Sequence, residues 1–158
     1  MTMGSVAALP GRIIFDDLQA ERQYDAFSVY AQSKLAHLMF AFELQRRSDV
    51  AGWGLRSVAA HPGIARTNLI PTSMDANSDA VRSWATEPER FQPAERGALP
   101  ALYAATADTT PGGSCGSDGP QEMSEFPGPA TIPEQAKDTG VAARLWDESV
   151  RLSRSTFA

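Results

Sequence analysis

The sequence predicts an α/β domain, and three observations lead to it. A long helical segment from Ala26 to about Ser48 carries an apolar stripe; after the glycine breaks at Gly52 and Gly54 comes a short β-prone run, Leu55 to Ala60; and that run ends at His61-Pro62-Gly63. A helix feeding a strand that stops at a Pro-Gly turn reads as the second half of a βαβ unit. In open sheets of this kind ligands bind at the carboxyl ends of strands, so the turn marks a candidate site.

Met1 to Ala8 reads as the end of a strand and the loop after it, and Gly11 to Asp25 as a mixed polar connection. In the helix from Ala26, Leu35, Leu38, Met39 and Phe42 recur at helical spacing, with Phe40 and Ala41 broadening the stripe. Pro71 to Asp79 reads as a loop, Ala80 to Thr86 as a short helix before Pro88, and Ala94 to Ala107 as a helix kinked at Pro100. The Gly- and Ser-rich run from Pro111 to Pro120 has room for a very short strand around Ser114-Cys115. Gln121 to Lys137, with Pro127, Pro129 and Pro133, is expected to be irregular. Thr139 to Arg154 closes the chain as a helix with Val141, Leu145, Trp146 and Val150 inward.

The chain has 158 residues, enough for one domain with a real core, and 42% hydrophobic and 21% charged residues place it among ordinary globular proteins. A net charge of −5 without any long basic run argues against a nucleic-acid or anionic-lipid surface. Cys115 is the sole cysteine, which rules out an internal disulfide and agrees with a reducing cytoplasm as the expected location. The N-terminus lacks the basic and apolar regions of a signal peptide, and the most apolar stretch, Leu35 to Leu44, is too short to span a bilayer. His37 and His61 are the only histidines, so no metal site is expected.

The chemistry-bearing residues are Tyr30 and Lys34, four apart and therefore on one helix face. A free phenol, with a pKa of about 10, is a poor acid-base group near neutrality, and an adjacent ammonium favours its charged form. That pairing suits proton transfer to or from an alcohol or carbonyl oxygen. A hydrolase triad built on Ser5 and His61 is a remote alternative, because the context Met3-Gly4-Ser5-Val6-Ala7 is no nucleophile elbow.

Tyr30-Ala-Gln-Ser-Lys34 followed by His61-Pro-Gly-Ile-Ala-Arg-Thr67 resembles the short-chain dehydrogenase/reductase family, in its retinol-dehydrogenase-like and protochlorophyllide-reductase-like branch. Gly11 to Gln19 and Ala143 to Ser149 resemble the same branch. The resemblance covers residues 1–158 as a single C-terminal fragment of the family's domain. It implies an incomplete Rossmann-like, doubly wound fold lacking the N-terminal dinucleotide-binding strands. It further implies NAD(P)-linked interconversion of an alcohol and a carbonyl, with NADP or NAD as cofactor and an apolar small-molecule substrate. By the same resemblance Tyr30, Lys34 and Ser5 are catalytic, and Tyr30, Lys34, Pro62, Gly63, Ile64 and Thr67 contact the cofactor, Ile64 through its backbone.

The family's Gly-rich phosphate turn has no counterpart. Gly112 and Gly116 have the first spacing but meet Asp118 where the next glycine belongs, and Gly52 and Gly54 meet Ser57. The resemblance therefore leads to one of two expectations: a start placed too late in a longer protein, or a truncated remnant. Without the missing strands the apolar stripe of the helix 26–48 is expected to lie exposed. The rival to an enzyme is thus a non-catalytic interaction protein or homo-oligomer associating through that helix.

Overall fold

The computed structural model describes residues 1–75 and 77–155. Four strands form one sheet in the order β1-β2-β3-β4: β1 (Thr2–Met3), β2 (Ala59–Ala60), β3 (Ser114–Ser117) and β4 (Pro127–Pro129). The first three are parallel and β4 runs antiparallel along the edge of β3. Among the described residues five α-helices accompany them: α1 (Ala26–Ala51), α2 (Leu69–Ser73), α3 (Asp79–Thr86), α4 (Ala94–Thr106) and α5 (Thr139–Ser153). The result is an α/β, partial Rossmann-like fold, as the sequence predicts.

The helix ends follow local chemistry. Asp25 caps α1 by accepting the Ser28 amide at 2.8 Å, and Gly52 ends it in the left-handed conformation (φ 66°). α1 therefore runs to Ala51, nearly a turn beyond the expected Ser48. Asp138 caps α5 in the same way, through the Val141 amide at 2.9 Å. The 11–25 connection is tied to α1 by the buried Gln32, whose Oε1 accepts the Ile14 amide (2.7 Å) while its Nε2 donates to the Leu18 carbonyl (3.3 Å).

Two apolar layers cover the sheet. Leu35, Leu38 and Met39 of α1 pack with Ala59, Ala142, Leu145 and Ala8 on one face, and Ala104 of α4 packs with Val58, Ala60 and Cys115 on the other. The centre of the α1 stripe, Leu35, Leu38, Met39 and Ala41, is consequently buried, not exposed, under α5 and the 3-10 turn Val6–Ala8; its edge residue Phe40 stays partly exposed. Outside the stripe, α1 leaves Phe27 and Tyr30 to solvent.

Three local expectations are corrected. The run Leu55 to Ala60 is a strand only at Ala59–Ala60, because side chains of α1 take its earlier backbone groups: the Leu55 amide goes to Ser48 Oγ (3.0 Å) and the Ser57 amide to Gln45 Oε1 (2.7 Å). The expected loop from Pro71 begins inside a helix, α2, and Pro71 at its third position needs no amide partner there. The proline-rich 121–137 segment contains β4. Asp118 and Ala130 donate to Phe126 and Ser114 at 2.8 Å on either side of the Gly116–Gly128 pair, so Pro127 and Pro129 fall where no ladder amide is needed. Pro100 lies buried inside α4, which spans the helix expected at Ala94 to Ala107.

Candidate active site

Ser5 follows β1 in extended backbone, and its Oγ accepts the Ala7 amide at 3.2 Å, starting the turn Val6–Ala8 that packs on α1. Tyr30 lies in the second turn of α1, and its hydroxyl donates to Ser5 Oγ across 3.5 Å. Lys34, a turn further on, holds its Nζ 5.6 Å from the centre of the Tyr30 ring. Tyr30 is 37% exposed, so the pair of hydroxyls is open to an incoming molecule. The three residues singled out for proton chemistry therefore meet at the carboxyl end of β1.

The Pro-Gly turn is placed by the end of β2, where the His61 amide donates to the Cys115 carbonyl at 2.9 Å. Gly63 has φ 63°, and a Cβ there would lie 2.4 Å from the Met123 carbonyl oxygen, so only glycine fits. The Ile64 amide donates to that same Met123 oxygen (2.8 Å), and the Ile64 carbonyl accepts from the Gln92 amide (3.1 Å). Gln92 Nε2 also donates to the Pro62 carbonyl at 2.6 Å. Thr67 stands apart: it is exposed, and its Oγ1 accepts the Leu69 amide (3.3 Å) at the entrance to α2.

Two residues of this site carry no signal in the sequence. Gln92 clamps the turn from the loop before α4, and Glu122 grips His61, its Oε2 lying 2.9 Å from His61 Nε2. The other Glu122 oxygen accepts the Thr131 amide at 2.7 Å. Burial works to raise the Glu122 carboxyl, but the Thr131 and His61 bonds outweigh it and hold the group below the ordinary carboxylate value. The Gly63 amide donates to His61 Nδ1 at 3.3 Å, which assigns the proton of the neutral ring to Nε2, facing Glu122. A hydrolase triad is not assembled. His61 has an acidic partner, but its second nitrogen is given to Gly63 and not to Ser5.

Ser5 and His61 line one small cavity with Leu38, Ser114, Glu122 and Thr131. Beyond the turn a second, larger cleft of about 490 Å³ is lined by Ile64, Ile70, Met74, Phe91, Gln121 and Met123 among others. Asp79, Ser83 and Arg90 also line it, and apolar atoms make up most of its wall, as a site for an apolar molecule requires.

A nicotinamide cofactor meets these residues unevenly. The open Tyr30 and Ser5 hydroxyls, the Lys34 ammonium and the turn at the strand end suit its ribose and ring in kind. The Ile64 amide, however, is already bonded to Met123. Among the described residues no Gly-rich strand-turn-helix offers a phosphate cradle.

No family model matches the chain. Retinol dehydrogenase 13 of Mus musculus is 35% identical over 157 residues, which is 96% of this chain and 44% of that protein. Retinol dehydrogenase 14 of Homo sapiens is 35% identical over 88% of the chain and 39% of its own length, and polyprenol dehydrogenase of Mus musculus 32% identical over 97% and 43%. A crystal structure of an uncharacterized protein from Mycobacterium paratuberculosis superposes with a TM-score of 0.76 at 35% identity, covering 99% of this chain and 50% of that one. The chain thus spans less than half the length of the curated relatives it matches.

Proposed function

We propose that this chain, which belongs to the short-chain dehydrogenase/reductase family and matches the C-terminal part of its retinol dehydrogenases, carries the proton-transfer half of an alcohol–carbonyl oxidoreductase. The observation that carries the reading is the approach of the Tyr30 hydroxyl to Ser5 Oγ at 3.5 Å with the Lys34 ammonium over the phenol ring. Tyr30 gives a proton to the substrate oxygen in reduction and takes it back in oxidation. Ser5 holds that oxygen by a hydrogen bond, and Lys34 stabilises negative charge as it develops on the phenol. The bound nicotinamide, NADP or NAD, supplies the hydride chemistry. Tyr30, Lys34, Pro62 and Gly63 would hold its nicotinamide end; Ile64, whose amide is bonded to Met123, and Thr67, at the entrance to α2, would reach it only after giving up those positions.

The substrate is an apolar alcohol or the matching carbonyl. The mostly apolar cleft beside Ile64 and Met123 supports this, as do relatives named for retinol and polyprenol. The test is turnover of retinol or a long-chain alcohol by the purified chain with either coenzyme, wild type against Tyr30→Phe. Turnover abolished by Tyr30→Phe is expected; turnover that survives it overturns the assignment.

A second reading, association without catalysis, draws on Phe27 of α1, which is 57% exposed. Sedimentation across a concentration series, with and without NADPH, separates the two. Self-association with no coenzyme binding favours this second reading.

A further inference from the structure

We propose that His61 and Glu122 are positioning residues that lock the Pro62–Gly63–Ile64 turn to the wall of the apolar cleft. The inference rests on the dehydrogenase reading of that turn. The linkage runs without a break from the Thr131 amide, through both oxygens of Glu122 and both nitrogens of His61, to the Gly63 amide. His61 is 5% exposed, so the ring has few alternative partners.

Two features show that the surroundings are built for this pair. The first is Gly116 in β3, where a Cβ would lie 2.2 Å from His61 Nε2; glycine alone leaves room for the ring. The second is the backbone of Gln121 and Glu122, at φ 54° and 58°, a region that non-glycine residues seldom adopt and that needs support from outside. The Glu122 carboxylate supplies that support, together with the bond from Ile64 to Met123. Gln121 and Met123, on either side of Glu122, line the cleft. The pair therefore sets the distance between the turn that faces the coenzyme and the wall that faces the substrate.

The chemistry tolerates only a carboxylate at residue 122. An isosteric glutamine has one acceptor and one donor end. If its oxygen serves the Thr131 amide, its NH₂ faces His61 Nε2 and forces the proton to Nδ1, where it opposes the Gly63 amide. If the oxygen serves His61, the NH₂ opposes the Thr131 amide. Either way one link breaks while packing volume is kept.

The test combines ¹⁵N NMR of the His61 ring with hydrogen exchange at the Gly63 amide, in the full chain and in Glu122→Gln and Gly116→Ala. The Nε2–H form is expected in the wild type. Exchange at Gly63 is expected to rise at least about tenfold in both variants, with α5 amides unchanged. In active protein the alcohol KM rises more than kcat falls. An Nδ1–H ring in the wild type, or unchanged Gly63 exchange in Glu122→Gln, overturns the proposal. Loss of α5 protection in Gly116→Ala means unfolding, and Glu122→Gln then decides alone. Tyr30→Phe with intact turnover overturns the dehydrogenase reading instead, and it leaves the exchange result to judge the pair.

Discussion

The Tyr30 hydroxyl reaches Ser5 Oγ across 3.5 Å although 25 residues separate them in the chain. The contact exists because two short-range devices converge. Asp25 starts α1 so that Tyr30 falls on its second turn, and the Ser5 side chain starts the Val6–Ala8 turn that lies against the same helix. Replacing Ser5 by Ala removes both the partner of Tyr30 and the cap on Ala7. Under the proposed function, turnover is expected to fall by about 10²-fold. Stability is expected to fall by about 0.5–2 kcal/mol. Steady-state rates and a urea titration on the same preparation read the two effects separately, and an unchanged rate would remove Ser5 from the mechanism.

Gly63→Ala tests the turn directly. The left-handed conformation costs an alanine about 1–2 kcal/mol. The Met123 carbonyl, 2.4 Å from the new Cβ, is backbone and cannot swing aside. Gly54→Ala is the control, since Gly54 has φ 69° and nothing within 4 Å of its Cβ. The alanine at 63 is expected to destabilise the chain clearly more than the alanine at 54 in denaturant titrations. Equal losses would mean that the 119–126 segment does not press on the turn.

What the sequence made legible was what local spacing controls. Tyr30 and Lys34 are a turn apart on any helix, and Leu35, Leu38 and Met39 are inward on any helix with that stripe. Gly52 as a helix stop needs only its own backbone freedom. The partners of the turn were not legible, because Glu122 lies 61 residues from His61 and Gln92 lies 30 from Pro62. β4 was hidden for a different reason: prolines argue against a strand unless their register is known, and the register with β3 is a tertiary fact. The exposure expected for the α1 stripe failed because α5, read correctly as a helix, had no partner assigned to it.

Glu43 predicts how the chain responds to acid. Its side chain is 1% exposed and bonds to Arg46 Nε (2.7 Å), Arg46 Nη2 (2.6 Å) and Arg47 Nε (2.7 Å). Burial works to raise the carboxyl, but the two arginines outweigh it and hold it below the ordinary 4.5. Because the folded value is depressed, the contribution is full above the unfolded value. It is lost as pH falls below 4.5 and through the folded value. Glu43→Gln is expected to cost about 1–3 kcal/mol at neutral pH. The gap between variant and wild type should narrow as pH falls below 4.5 in urea titrations; a gap independent of pH would assign the loss to packing.

The joint between α1 and α5 is the last point at which a side-chain pair decides stability. The Phe40 and Trp146 rings stack nearly parallel, with centroids 5.4 Å apart and planes 6° apart, and the Arg47 guanidinium lies 4.6 Å from the Trp146 ring. Trp146 is 6% exposed and Phe40 38%, so the indole is the buried member and the phenyl its partly solvated cover. Trp146→Ala should therefore cost about 3–5 kcal/mol, as the loss of a buried aromatic does. Phe40→Ala should cost much less. In a double-mutant cycle the two should couple by about 0.5–1.5 kcal/mol, the worth of an aromatic pair beyond its buried area. If the costs simply add, the stacking of the two rings adds nothing to the joint, and the docking of α5 rests on its other contacts, among them Leu145, Ala142 and Val141.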